Sequence, residues 1–220
     1  WILLTLHGYV SYARRSTFGR YALVAGCFAM ALLAKPMAVT LPCAMVLLDV
    51  WPLGCLKLGD KTAWRRCILE KLPLLAISGV SSVMTVMTQR GLGAVTDYYH
   101  FSLLERICNA MIAYATYLVK LVWPADLAIP YLLPAMFDPW HVVGSFVLLV
   151  VVTGFVCRRG RQAPWLWVGW LWYLGTLFPM SGLFQVGIQS HADRFGYLPL
   201  IGVLVAIVWW LADYVQRNGV

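Results

Sequence analysis

The chain has 220 residues, of which 61% are hydrophobic and 12% charged, and a mean hydropathy of +0.76. Soluble domains carry about 45–50% apolar and about 25% charged residues, so this composition excludes a soluble domain with its apolar side chains hidden in one core. The net charge of +8 comes without any nucleic-acid-binding motif, which removes nucleic acid as a partner.

In chain order the apolar segments are 1–13, 21–34, 36–53, 71–89, 103–123, 139–157, 163–181 and 196–215. Several approach the roughly 20 residues that cross about 30 Å of hydrocarbon. They predict an all-α, polytopic helical membrane protein. Trp1 opens inside one apolar run and Val220 follows another, so both ends are read as truncations, and no signal peptide is assigned. No internal repeat is visible.

Basic clusters separate the segments. Arg14, Arg15 and Arg20 form the first. Lys57, Lys61, Arg65, Arg66 and Lys71 form the second. Arg158, Arg159 and Arg161 form the third, with Arg217 near the end. The positive-inside rule assigns such clusters to the cytoplasmic side. Segment 71–89 then runs outward and 139–157 runs inward, so 103–123 begins and ends outside. It is therefore predicted as an interfacial or re-entrant helix, with Leu104, Ile107, Met111, Tyr114, Leu118 and Leu121 as its apolar stripe. Segment 21–34 would reach only about 21 Å at 1.5 Å per residue. With 36–53 it is read as a helical hairpin whose tip is Lys35–Pro36. Counted by side, 12 basic and four acidic residues fall inside, and five of each fall outside. The excess charge thus faces anionic lipid.

Membrane topology does not account for the outer charges, which makes them functional candidates. Lys35 sits between two apolar helices and suits a lipid phosphate, or it snorkels at a helix end. The loop 185–194, QVGIQSHADR, gathers Gln185, Gln189, His191 and Arg194 at one membrane surface. Arg194 suits bidentate phosphate recognition, while Ser190 and Asp193 have capping-box spacing for the last helix. Tyr117 and Lys120 fall near one face of 103–123, where they serve as an interfacial anchor or as part of a site. Arg90, Asp97 and His100 belong to the outer loop 90–102. The tryptophans at 165, 167, 170 and 172 are read as an aromatic belt. None of the six cysteines forms a CxxC pair, so they are read as small buried thiols and no metal ligands are assigned.

Three stretches carry a family resemblance. They are Leu33-Ala-Lys-Pro-Met-Ala-Val-Thr-Leu-Pro42 followed by Leu48-Asp-Val-Trp-Pro-Leu53; Tyr117-Leu-Val-Lys-Leu-Val-Trp-Pro124 with Leu127-Ala-Ile-Pro-Tyr131; and Gln185-Val-Gly-Ile-Gln189 running into Ala192-Asp-Arg-Phe-Gly-Tyr-Leu-Pro199. Together they resemble the bacterial tetratricopeptide-repeat membrane glycosyltransferase-like proteins, relatives of the transmembrane and tetratricopeptide-repeat O-mannosyltransferases. The resemblance covers most of residues 1–215. It implies a bundle like those of the GT-C class, multi-pass in the inner (plasma) membrane with its active face periplasmic. It also implies transfer of a mannose-like sugar from a polyprenyl-phosphate donor to a protein acceptor. By resemblance, Lys35, Lys120 and Arg194, with His191 and Gln189, contact the phosphate side of the substrate, and Asp193 is the candidate catalytic or orienting acid. The expected base lies before Trp1 and a soluble repeat domain follows Val220, so the fragment alone is expected to be inactive. No cofactor is assigned, and a divalent metal stays open. The alternatives are a transporter of a lipid-linked or anionic solute, or a membrane anchor for a repeat scaffold.

Overall fold

The structure, a computed structural model, describes residues 1–56, 59–91, 102–125, 127, 131–132, 137–183 and 189–218; for Arg90, Leu132, Gln189 and Asn218 only the backbone is described. Among the described residues eight α-helices carry the fold, joined by short 3-10 turns and one two-stranded bridge. Three helices among the described residues are long and apolar enough to cross a membrane: Lys61–Gln89, Pro139–Arg159 and Tyr197–Arg217. The protein is a helical membrane protein, and its exposed side chains agree with that. Val143, Phe146, Val147, Val150 and Val151 all lie on the surface of the second span. In water such a face would be an aggregation liability; in hydrocarbon it is the surface that lipid solvates. The chain divides into two compact units, Trp1–Thr88 and Gln89–Val220.

The first unit contains α1 (Ile2–Arg14), α2 (Phe18–Ala34), α3 (Leu41–Val50) and most of α4 (Lys61–Gly91). Its core draws Tyr9 from α1, Val24 and Phe28 from α2, Leu41 and Met45 from α3 and Leu74 from α4. The Arg20 guanidinium donates to the Ser11 carbonyl at 2.8 Å and closes the α1–α2 turn. α2 ends where Lys35 adopts an extended backbone, φ −151° and ψ 120°, and the 3-10 turn Pro36–Thr40 begins. Pro36 lacks an N–H and favours the first position of a new turn, which explains the break there. The expected second arm, 36–53, is thus a 3-10 turn followed by a ten-residue helix that ends at Val50.

α4 starts ten residues before the predicted segment 71–89. With 31 residues at about 1.5 Å each it is about 46 Å long, more than the hydrocarbon thickness. Its first turns carry Lys61, Arg65 and Arg66, so these members of the second basic cluster are helical; Lys57 lies outside the described residues. Hydropathy placed the boundary at the membrane surface, whereas backbone hydrogen bonding continues into the polar layer. The Asp60 carboxylate starts the helix by accepting from the Thr62 and Ala63 amides at 2.9 and 3.1 Å.

The second unit contains α5 (Leu103–Val122), α6 (Pro139–Arg159), α7 (Pro164–Leu177) and α8 (Tyr197–Asn218), with β1 (Tyr131–Leu132) paired antiparallel to β2 (Gln189–His191). α7 and α8 pack against each other more extensively than the other helices of the unit do. A Cβ on Gly202 would lie 2.5 Å from the Gly169 carbonyl oxygen, so only glycine lets the two backbones approach this far. Trp170 and Trp172 are buried beside this contact, and the Trp172 Nε1–H donates to the Leu198 carbonyl at 3.0 Å. Those two residues belong to the core and not to an aromatic belt.

On α5 the predicted apolar stripe is exposed at its start and half-buried from Met111 onward, where Tyr114 and Leu118 pack against the core. Leu104 and Ile107 of the predicted stripe are exposed, while Asn109, Ala110, Ala113 and Tyr117 form the buried seam. In lipid the large apolar side chains have no reason to turn inward. Small residues permit close helix approach, and polar ones seek hydrogen-bond partners in protein. Its first turn is closed by a capping box, in which the Ser102 backbone N–H donates to Glu105 at 2.6 Å and the Ser102 hydroxyl accepts from the Glu105 amide at 3.3 Å. That bond from the Ser102 backbone, with the one from its hydroxyl, lowers the Glu105 carboxyl below its ordinary pKa.

Candidate functional site

The site lies where the end of α5 meets the segment after β2. Lys120 is in the last turn of α5, with its side chain only 14% exposed. Its ammonium donates to the two Asp193 oxygens at 3.0 and 3.2 Å and contacts the Tyr131 hydroxyl. The Tyr131 hydroxyl donates to Asp193 at 2.8 Å. Tyr131 is brought within reach by the β-bridge, which sets it opposite His191. The two rings stack with centroids 4.4 Å apart and 13° between planes. Burial opposes the Lys120 charge, but the hydrogen bonds it donates to Tyr131 and Asp193 outweigh it and raise the ammonium above its ordinary pKa. Lys120 therefore remains a cation.

The turn itself is held from α5. The Tyr117 hydroxyl donates to the Ala192 carbonyl at 2.7 Å. Asn109 donates through Nδ2 to the Ser190 carbonyl at 3.4 Å and to the Ser181 carbonyl at 3.5 Å. Its Oδ1 accepts from the Ser190 hydroxyl. With its proton committed to Asn109, the Ser190 hydroxyl is left as acceptor for His191 Nδ1 at 2.9 Å. This fixes the Nδ1–H tautomer and leaves a lone pair on Nε2. His191 is 8% exposed, and its Nε2 has no hydrogen-bond partner among the described residues. Burial, reinforced by the Lys120 charge and opposed by Asp193, pushes the imidazole from 6.5 down to about 4. The ring is neutral at pH 7, and Nε2 is an acceptor suited to a hydroxyl proton.

Lys120, His191 and Asp193 thus come together as one cluster. Arg194 follows Asp193 in the 3-10 turn Asp193–Phe195, where its exposed guanidinium lies 5.0 Å from the Phe195 ring centroid. Gln189 enters through its backbone, which pairs with Leu132. Lys35 belongs to the first unit, at the exposed break after α2. Gln185, Asp97 and His100, and the Arg90 side chain, lie outside the described residues. The expected capping box of Ser190 and Asp193 does not form, since β2 and the 3-10 turn intervene before α8 and both side chains turn to α5 and Tyr131. Sequence reasoning missed Tyr131, Asn109 and Ser190 as partners of the site. An Asn in the middle of an apolar helix was the available signal for one of them. Among the described residues no group of three or more His, Cys, Asp or Glu could hold a metal ion.

A second buried polar cluster, in the first unit, was counted among topogenic charges. Asp49 and Lys71 are 4% and 2% exposed and form an ion pair at 2.6 Å. The Tyr9 hydroxyl donates to both Asp49 oxygens at 2.6 and 2.7 Å and accepts from Lys71 at 2.5 Å. Glu70 accepts from Lys71 at 3.1 Å, and the Cys67 thiol lies 3.3 Å from Asp49. Asp49 and Lys71 are therefore not solvated surface charges.

No family model, no curated protein and no solved structure matches the chain.

Proposed function

We propose that the chain is the membrane part of a glycosyltransferase that moves a mannose-like sugar from a polyprenyl-phosphate donor to a protein hydroxyl on the extracytoplasmic face. The observation that carries this reading is the Lys120 ammonium, held by Asp193 and Tyr131 at the end of α5 with Arg194 exposed in the adjoining turn. In such a transfer the bond from the sugar C1 to the phosphate oxygen breaks and its electron pair leaves with the phosphate. A bond from the acceptor oxygen to C1 forms, and the acceptor proton is taken up by a base. Lys120 and Arg194 would stabilise the charge that develops on the departing phosphate. Asp193 orients Lys120.

The test uses the full-length protein in native membranes with a radiolabelled polyprenyl-phosphate sugar. Lys120→Ala is expected to lower transfer by about 10²–10³, the range for losing one group that stabilises a developing anion. Arg194→Ala lowers it less, because its guanidinium is exposed. Unchanged transfer in both variants overturns the reading. The extended break at Lys35 favours a transporter of an anionic solute as the second reading, since transporters bind substrate at interrupted helices. That reading predicts solute uptake that Lys35→Ala abolishes and no labelled protein product.

A further inference from the structure

The first unit has a cavity of about 410 Å³ in whose wall Asp49 and Lys71 lie. Tyr9, Tyr12, Ser16, Asp60, Arg66 and Glu70 are also in its wall. The α1–α2 turn and the start of α4, beside the first and second basic clusters, therefore border the same cavity. Among the described residues its wall carries three carboxylates, Asp49, Asp60 and Glu70, against the two cations Arg66 and Lys71. Lys71 is saturated, with its three N–H donors on Asp49, Tyr9 and Glu70. Only one Glu70 oxygen is used in that way; the other has no partner among the described residues, and the side chain is 23% exposed. Arg66 is exposed. The cavity thus offers an unsatisfied carboxylate oxygen and a guanidinium, beside the basic residues of the first unit.

A second groove, of about 310 Å³, adjoins it and shares Tyr12, Ser16 and Glu70 with it. Its other walls are Phe18, Tyr21, Leu69 and Pro73. Phe18 is 88% and Leu69 53% exposed, surfaces that the acyl layer would cover. A polar cavity opening into an apolar groove has the form of a phospholipid, headgroup in one and chain along the other. Charge complementarity selects the headgroup. A primary ammonium satisfies Glu70 with N–H donors, and the adjoining phosphate meets Arg66. We infer that this cavity and groove form a binding site for a phosphoethanolamine lipid. The inference does not depend on the proposed transfer reaction.

Native mass spectrometry of the delipidated full-length protein tests it, with phosphoethanolamine, phosphocholine and phosphoglycerol lipids of identical chains. The wild-type protein is expected to retain the phosphoethanolamine lipid about tenfold better than either other lipid, the effect of one charge-assisted hydrogen bond. Equal retention of the phosphocholine lipid, whose methylated ammonium has no N–H to donate, overturns the inference without any variant. Glu70→Gln is expected to abolish the preference while circular dichroism shows unchanged helicity; a preference that survives in a folded E70Q protein also overturns it. Soluble O-phosphoethanolamine supplies the same headgroup without a chain. It is expected to fail to displace the lipid at equal concentration, and displacement there refutes the lipid as the source.

Discussion

Replacing Lys71 by Met removes the only cation that touches Asp49 in the described structure. The carboxylate would remain buried, with the Tyr9 hydroxyl and the Cys67 thiol as its remaining donors among the described residues. Removing one partner of a buried ion pair destabilises by about 3–5 kcal/mol, because the other charge is left desolvated without compensation. At about 2–4 °C per kcal/mol for a chain of this size, the melting temperature would fall by about 6–20 °C. The double variant Asp49→Asn with Lys71→Met removes both charges, and most of that loss should be recovered. Thermal unfolding in detergent, followed by circular dichroism on the four members of the cycle, reads the coupling. The expected non-additivity is about 2 kcal/mol or more, above the range for exposed pairs. Strict additivity, or a Lys71→Met melting temperature within about 2 °C of wild type, would refute the claim that this pair is desolvated and coupled.

Two further outcomes are expected. His191 binds its proton at 6.5 in the unfolded chain but at about 4 in the folded one. The depressed value favours the folded state above pH 6.5, and this contribution of about 3 kcal/mol is lost as pH falls towards 4. His191→Gln should flatten the stability profile across that window relative to wild type, and parallel profiles would show that the ring is not buried. Gly202→Ala drives a Cβ to 2.5 Å from the Gly169 carbonyl and 2.7 Å from the Trp172 ring, for a loss of about 1–3 kcal/mol. Gly144→Ala on α6, where nothing lies within 4 Å, should leave thermal stability unchanged or slightly raised, and serves as the control.

Helix existence was legible because hydropathy alone decides it in a bilayer, where every backbone group must bond within its own segment. The predicted segment 139–157 and α6 agree to within two residues. Helix ends were less legible. α4 continues beyond the hydrocarbon on the strength of its Asp60 cap, which no hydropathy window registers. The apolar stripe of α5 could be read from spacing, but not that the small and polar residues Asn109, Ala110, Ala113 and Tyr117 form the seam buried against protein.

The site was legible in part. Lys120, His191 and Asp193 could be singled out because charge outside the basic loops needs a reason beyond topology. Their assembly could not be read, since Lys120 and Asp193 lie 73 positions apart and meet through Tyr131 and a bridge only two to three residues long. Asp49 and Lys71 show the same limit from the other side. As sequence they are two more charges near basic loops; as structure they are a buried pair 22 positions apart. Composition and apolar run length by themselves determined that this is a polytopic helical membrane protein, because both depend on local hydropathy alone. Which charges are solvated, which are paired and which helix faces meet protein was decided only by the tertiary structure, because desolvation depends on what packs around a group and not on its neighbours in the chain.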